Sequence, residues 1–279
     1  MNYKYIIYMN IILFGSTGML GNYIVNVLNK KYNLICISRE EYDIYNGNYK
    51  ELKEIIKTNN KDGESLVINC AGAIPQRYCE FKYLFKLNTW FPNMLSKICN
   101  KIGIKLIHIT TDCVYDGKKG KYNEKDFHTE TNMYGRSKSI GEPRNCCIIR
   151  TSIIGEENKN KKSLIEWLKS ETGNEINGYV NHYWNGVTCY QLSKIIKYMI
   201  EKKLYWNGIR HIYTPIKYTK YSICVLINNI YDLNIKINKT TTSKNIDRTL
   251  STNYEENKIF KVPDLTKQIL EQKEFWNSI

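Results

Sequence analysis

Hydrophobic and polar positions in the first 155 residues alternate between two periods. Short apolar runs at 11–14, 34–38, 66–70, 105–110 and 146–151 have the length and β-branched content of buried strands. Between them, at 19–29, 49–57, 81–101 and 133–141, apolar residues recur every three or four positions, as on one face of a helix. Pro92 falls inside the third helical stretch, where its missing N–H marks a bend or a boundary. Strands and helices in alternation predict an α/β chain whose parallel sheet carries helices on both faces.

After residue 155 the alternation weakens. A polar break, EENKNKK, precedes helical patterns at 164–170, 192–201, 221–231 and 265–275. The first two of these are separated by NGYVNHYWNGVT, which is rich in glycine and aromatic residues. The expected division is a first domain over 1–155, with later segments returning to it, and a smaller lobe mainly over 156–279. No internal repeat is visible, and the second part is too irregular to assign a topology.

Composition narrows the class. A chain of 279 residues, 42% hydrophobic and 24% charged, can bury a large core without a disulfide or metal staple. Collagen, a disordered tail, a small secreted scaffold and a multispan membrane protein are excluded. Lys and Arg number 41 against 27 Asp and Glu, giving +14, but 34 of the 41 are Lys spread thinly along the chain. Nucleic-acid readers concentrate their basic residues in a patch or stripe, so no nucleic-acid partner is expected. The charge instead accompanies a general excess of Lys, Asn, Ile and Tyr, the bias of AT-rich coding.

The nine cysteines are odd in number and show no CxxC or Cys/His zinc spacing. Several sit in apolar runs such as CCIIR and INCAG, so reduced core thiols, no metal site and a cytoplasmic location are expected. The opening MNYKYIIYMNIILFG imitates a signal peptide but is broken by Asn10 and has no cleavage-type site. No apolar run approaches the ~20 residues that span a bilayer, so no membrane partner is expected. A second Met at position 9 makes residues 1–8 readable as a dispensable extension.

Three motifs carry chemistry. Gly15-x-x-Gly18-x-x-Gly21, in FGSTGMLG, follows a strand and opens a helix. Glycine lets a backbone turn tightly and approach a pyrophosphate, which then rests on the helix's positive end. The sheet is therefore expected to be of the Rossmann type, doubly wound. After the second strand comes Ser38-Arg39, where NAD binders tend to place an acid for the ribose 2′-hydroxyl. An Arg pairs bidentately with a 2′-phosphate, which favours NADPH over NADH. The third motif is Tyr134-x-x-x-Lys138, a spacing that puts both side chains on one helical face, where an ammonium lowers a phenol's pKa. Thr111 stands at a strand end 23 residues upstream, with Asn88 on the earlier helix. A Thr111 hydroxyl can polarise a substrate carbonyl while tyrosine passes it a proton.

Together FGSTGMLG, NCAGAIP, LNTWFPNMLSKIC, HITTDCVYDG and YGRSKSIGE resemble the extended short-chain dehydrogenase/reductase family, over most of residues 10–155. TTDCVYDG, the Trp-x-Gly-Val-Thr segment and Asp-Arg-Thr-Leu are similar to the dTDP-4-dehydrorhamnose reductase branch. The resemblance implies an NADPH-dependent reductase of a nucleotide-linked (UDP or dTDP) 4-keto-6-deoxyhexose, with an N-acetylated sugar also open. Tyr134 would be the proton donor, Lys138 its pKa tuner and ribose anchor, and Thr111 the carbonyl-orienting hydroxyl. Gly15, Ser16, Thr17, Gly18, Met19, Leu20 and Gly21 would form the pyrophosphate turn, with Arg39 at the 2′-phosphate. Ala71, Gly72 and Ala73 would pass the nicotinamide side.

Asn88, His182, Trp184 and Arg248 are the candidate substrate residues, with Arg248 suited to a diphosphate. His108 and His211 flank apolar strands and read as structural. Cys113 departs from the simple reductases, which carry an aromatic residue there. It resembles bifunctional epimerase/reductases, in which such a cysteine works with a His or Lys; His182 and Lys162 are the candidates here. The implied partner is the nucleotide sugar alone, and a homodimer is left open. The competing reading is a non-catalytic regulatory subunit resembling the methionine adenosyltransferase β subunit, a role with no use for a tuned phenol.

Overall fold

The computed structural model describes residues 9–60, 64–76, 80–159 and 161–279. The proposed N-terminal extension and Cys79 lie outside the described residues. The first half runs β1 (Asn10–Phe14), α1 (Met19–Leu28), β2 (Asn33–Ile37), α2 (Tyr49–Asn59) and β3 (Leu66–Asn69), then α3 (Phe81–Phe85), α4 (Phe91–Ile102), β4 (Lys105–Thr111), α5 (Met133–Ile140) and β5 (Cys147–Thr151). The second half adds β6 (Ile153–Ile154), α6 (Leu164–Ser170), β7 (Glu175–Tyr179), β8 (His182–Trp184), β9 (Val187–Thr188), α7 (Cys189–Glu201) and β10 (Gly208–His211). It closes with β11 (Tyr218–Thr219), α8 (Lys220–Tyr231), β12 (Lys236–Thr240), β13 (Ile246–Asp247) and α9 (Leu265–Trp276).

Six strands pair in parallel in the order β10-β5-β4-β3-β1-β2, a Rossmann-like α/β sheet. Each strand serves both faces because its side chains alternate. Ile11 and Leu13 pack under α1 and α7, whereas Ile12 and Phe14 pack under α2 and α4. All four are 0–1% exposed, which is why β1 reads as a continuous apolar run. Strand order reverses between β1 and β3, so the loops after these two strands part at their carboxyl ends.

Helix starts follow local capping chemistry. Asn48, Asn132, Ser163, Thr188 and Asp264 each turn a side-chain oxygen onto the first-turn amides of α2, α5, α6, α7 and α9. The Thr188 cap explains why α7 begins at Cys189 and not at 192. The single helix expected over 81–101 is broken. A π-helical turn, Lys86–Trp90, separates α3 from α4, with Pro92 in the first turn of α4. Proline cannot donate to the carbonyl four residues back, that of Asn88, and the extra residue of the π turn re-aims the Asn88 side chain.

Residues 187–212 return to the sheet through α7 and β10. The remainder of the second half builds its own core from Ile165, Leu168, Trp184, Ile223, Ile227, Leu265 and Ile269. Three small sheets organise this lobe: β11-β8-β13, β12-β7 and β6-β9. These short pairings lacked a readable period in the sequence because they are two to five residues long.

A buried carboxylate ties the halves together. Glu156 is 0% exposed, and its oxygens accept hydrogen bonds from Tyr23 of α1 and Tyr231 of α8. Gln268 and Gln272 of α9 accept the backbone N–H groups of Thr188 and Tyr190, locking α9 onto the start of α7. Removing one phenol donor strands a buried carboxylate oxygen. Tyr231→Phe is therefore expected to lower the unfolding free energy in urea by about 1–3 kcal/mol. An unchanged midpoint would show that Glu156 is not held in this way.

Candidate active site

A cleft of about 510 Å³ opens between the loops after β1 and β3. Gly15, Ser16, Thr17 and Gly18 line one wall, and Cys70, Ala71 and Gly72 line the other. Gly15 has φ +81°, and a Cβ there would stand 2.6 Å from the Ala71 nitrogen, so the two loops approach as closely as glycine allows. Gly18 caps α1 without any side-chain hydrogen bond, leaving the first-turn amides pointed at the cleft with no protein acceptor from the cap. This is the chemistry of an anion site at the start of a ten-residue helix.

The outer end of the cleft is polar and aromatic. Arg39 lines it, with a 71% exposed side chain and only a loose ion pair to Asp43 at 3.7 Å. Tyr45 and Tyr83 stack 4.2 Å apart on the same wall. Lys159, from the polar break that the sequence marked only as a boundary, reaches the cleft from the second half. The side chains of Met19 and Leu20 turn away from it. Leu20 is 5% exposed in the core beneath the sheet, and Met19 packs against that core.

At the inner end, Lys138 is buried against the bare Cα of Gly72, where a Cβ would lie 2.6 Å from its Nζ. Burial pulls the ammonium down to about 8, and the charges of Glu142 and Cys113 partly offset that fall. Glu142 is itself pinned by Arg150, Nε to Oε1 at 3.0 Å and Nη2 to Oε2 at 2.5 Å. Arg150 is 0% exposed and also reaches Tyr115 Oη, His211 and His128. His211 is thus buried in the scaffold, as is His108, whose Nδ1 meets the Asn69 amide at 3.1 Å. Asn69 in turn accepts the Ala71 N–H at 3.0 Å, so this pair shapes the cleft wall.

The π turn delivers Asn88. Its Oδ1 accepts the Ala73 N–H at 2.8 Å and its Nδ2 donates to the Ala73 carbonyl at 2.9 Å. Nδ2 also donates to Ser137 Oγ on α5 at 3.1 Å. Asn88 therefore clamps the loop after β3 to the helix that carries Tyr134. Ala73 is buried with its backbone consumed by this clamp, and it does not line the cleft.

Thr111 ends β4, where several of the candidate side chains meet. Its Oγ1 accepts the Cys113 N–H at 3.1 Å and donates to Asp112 Oδ1 at 3.2 Å. It also lies near the Tyr134 phenol, whose pKa it lowers slightly. Burial raises the Tyr134 phenol well above its ordinary range, with Cys113 and Asp112 adding to the rise. The lowered phenol expected from the sequence is absent, because desolvation outweighs any effect of the ammonium four residues on. Tyr134 holds its proton, the state from which a donor acts.

Cys113 lies at the same turn, and its thiol donates to Asp112 Oδ1 at 3.5 Å. Burial first, then the Asp112 charge, pushes this thiol up to about 12. Asp112, 4% exposed and itself raised by burial, was not singled out from the sequence, although its place between Thr111 and Cys113 was the available signal.

Two expected substrate residues are otherwise engaged. Trp184 is 4% exposed inside the lobe core and offers no face to a ligand, because the alternation of β8 turns it inward. Arg248 is half-committed, with Nε donating to the Tyr115 carbonyl and Nη2 to Glu130, both at 2.7 Å. His182 pairs with Thr242 Oγ1 at 2.8 Å and packs on Tyr179, and Lys162 is exposed. The charges of Arg248 and Lys220 act on both Asp112 and His182, and Arg248 is held near the turn by its bond to the Tyr115 carbonyl.

Comparison with known proteins decides the family. The RmlD substrate binding domain model matches residues 9–250. The chain belongs to this family. A relative of the RmlD type, a dTDP-4-dehydrorhamnose reductase of Shigella flexneri, is 29% identical over 172 residues, 58% of this chain and 57% of its own. The match thus spans little more than half the length of that curated relative. The structure of a dTDP-4-dehydrorhamnose reductase from Bacillus anthracis in complex with NADP superposes with TM-score 0.82 at 18% identity, covering 98% of this chain and 100% of that one. A GDP-mannoheptose C4 reductase from Campylobacter jejuni with NADP bound gives 0.75 at 16% identity, covering 97% and 98%. Among the described residues of this RmlD-type chain, no helix is long and apolar enough to cross a membrane.

The raised thiol gives a direct check on the turn. Iodoacetamide at pH 8 is expected to leave Cys113 unmodified in the folded chain, read by peptide mass spectrometry, because only the thiolate reacts. Rapid alkylation there would mean that Asp112 and burial do not hold the proton.

Proposed function

We propose that the chain uses NADPH to reduce the C4 ketone of a nucleotide-linked 4-keto-6-deoxyhexose carried on dTDP or UDP. The observation that carries this reading is the buried Lys138 ammonium packed on Gly72, which lines the open cleft, on the same helix as a Tyr134 phenol that lies near Thr111. The family membership and the reductase names of its relatives support the substrate class.

The residues fit a dinucleotide. The cradle at Gly15 and the uncapped start of α1 suit a pyrophosphate, and Arg39 suits a 2′-phosphate. Lys138 would anchor the adjoining ribose, with Ala71 and Gly72 alongside the nicotinamide. When bound, the nicotinamide supplies the hydride. Thr111 turns its hydroxyl from Asp112 toward the ketone oxygen and polarises the carbonyl. Tyr134 then gives its phenolic proton to that oxygen as negative charge develops there. The Lys138 ammonium stabilises the phenolate left behind.

Epimerisation through Cys113 is left out of the proposal. A thiol that donates to a carboxylate, with its pKa pushed up to about 12, is a poor base for a sugar C–H. A regulatory role gives no reason to bury an ammonium beside a phenol and a hydroxyl.

Tyr134→Phe is expected to lower kcat by about 10²–10⁴-fold, because one positioned proton donor contributes that much. NADPH affinity, measured by fluorescence titration, should stay within about twofold, since the phenol contributes at most one modest hydrogen bond to the bound cofactor. Undiminished turnover would remove the assignment. The pH dependence has a definite sign. Lys138 is charged below about 8 and neutral above it, so kcat should fall on the alkaline side with a midpoint near 8. A flat profile to higher pH would show that the ammonium is not needed.

A further inference from the structure

Arg248 faces the reacting turn from the lobe, yet an acid already holds it. Its Nη2 donates to Glu130 Oε2 at 2.7 Å, with the two side chains 27% and 11% exposed. The other Glu130 oxygen accepts the backbone N–H groups of Thr131 at 2.8 Å and Asn132 at 3.2 Å. Asn132 caps α5, the helix of Tyr134 and Lys138, and the Glu130 stem packs on Gly135 of the same helix. One carboxylate therefore joins a lobe guanidinium to the start of the helix that carries the reacting phenol.

Charge around this pair is unbalanced. Arg248 acts on Asp112, Cys113 and His182, and Lys220 acts on Asp112 and His182. Among the described residues Glu130 is the acid at ion-pair distance from Arg248, and none lies at that distance from Lys220. A diphosphate offers more charge and more acceptor oxygens than a carboxylate, and an Arg fork binds either in the same planar geometry. With Nε on the Tyr115 carbonyl and Nη2 on Glu130, the guanidinium can engage such an anion fully only if Glu130 yields.

We propose that Glu130 is a positioning residue that stands in for the substrate's diphosphate on Arg248, so that nucleotide binding displaces it and is thereby coupled to the start of the Tyr134 helix. This rests on the reductase reading above. The carboxylate sets the affinity for the nucleotide by competition, and its second oxygen keeps the α5 entry ordered whether or not Arg248 has been taken. Removing the negative charge should then strengthen nucleotide binding, whereas a purely structural acid would, if anything, weaken it when lost.

The test is calorimetric binding of dTDP, and in parallel UDP, to the full chain. Glu130→Gln keeps the shape and the acceptor for Thr131 and Asn132 while losing the charge. The dTDP dissociation constant should fall about five- to tenfold, with a matching fall in KM for the ketosugar and kcat within about twofold, as expected when a competing charge-assisted bond is removed. Glu130→Ala should also tighten dTDP but lower kcat, because α5 loses its amide acceptor. In an Arg248→Ala background the Glu130→Gln effect should vanish, the mark of a direct pair. A wild-type chain that binds and reduces its substrate, with an unchanged or raised dTDP dissociation constant in Glu130→Gln, would overturn this proposal alone. A folded wild-type chain that binds neither nucleotide would overturn the reductase reading on which it rests.

Discussion

A buried ammonium pressed against a backbone with no side chain is the constraint around which the site is organised. Lys138 can approach Gly72 only because that position carries no Cβ, and the Glu142 charge partly offsets the desolvation that pulls its ammonium down to about 8. Glu142 needs Arg150, and Arg150 in turn draws Tyr115, His128 and His211 into one buried cluster. Breaking such a network by removing one member leaves an uncompensated charge, a change worth roughly 3–5 kcal/mol. The carboxyl end of the sheet is thus a polar scaffold whose purpose is to hold one cation in place.

The same logic governs the turn at Thr111. Three side chains compete for few protons: Asp112 takes hydrogen bonds from Thr111 and Cys113, and Thr111 accepts the Cys113 backbone N–H. Burial raises the Cys113 thiol, the Tyr134 phenol and the Asp112 carboxyl alike, because desolvation penalises the charged form of each. The arrangement favours giving a proton away over taking one, which is why reduction with protonation fits better than abstraction of a sugar proton. The second half of the chain completes the site from outside, bringing Lys159 to the cleft and Arg248 to the turn.

Much of the frame was legible in the sequence because its signals are local. Continuous apolar runs such as Ile11–Phe14 mark strands buried on both faces, and a Gly-rich turn after the first of them marks the open ends of the loops. The Tyr134/Lys138 spacing likewise survives as one helical face near the cleft. The π turn at Lys86–Trp90 was not legible, since helical periodicity continues through it and only Pro92 hinted at the break. Trp184 was misread because an aromatic residue in a polar segment looks the same whether it faces a ligand or a core. The phenol's pKa was misjudged because spacing reports which charge is near and not how much water has been removed. Glu130 was invisible as a site residue because its partner Arg248 is 118 residues away, and only the folded geometry makes the two neighbours.

The central claim is that this constellation moves hydride to a sugar C4 and a proton to its oxygen. It is tested most directly by a single turnover with NADPH deuterated at the transferable position and a dTDP- or UDP-4-keto-6-deoxyhexose, followed by NMR of the sugar. The expected result is one deuterium at C4, an alcohol in place of the ketone and one equivalent of oxidised cofactor. Recovery of the unlabelled ketone from a folded chain that has bound both molecules would contradict it.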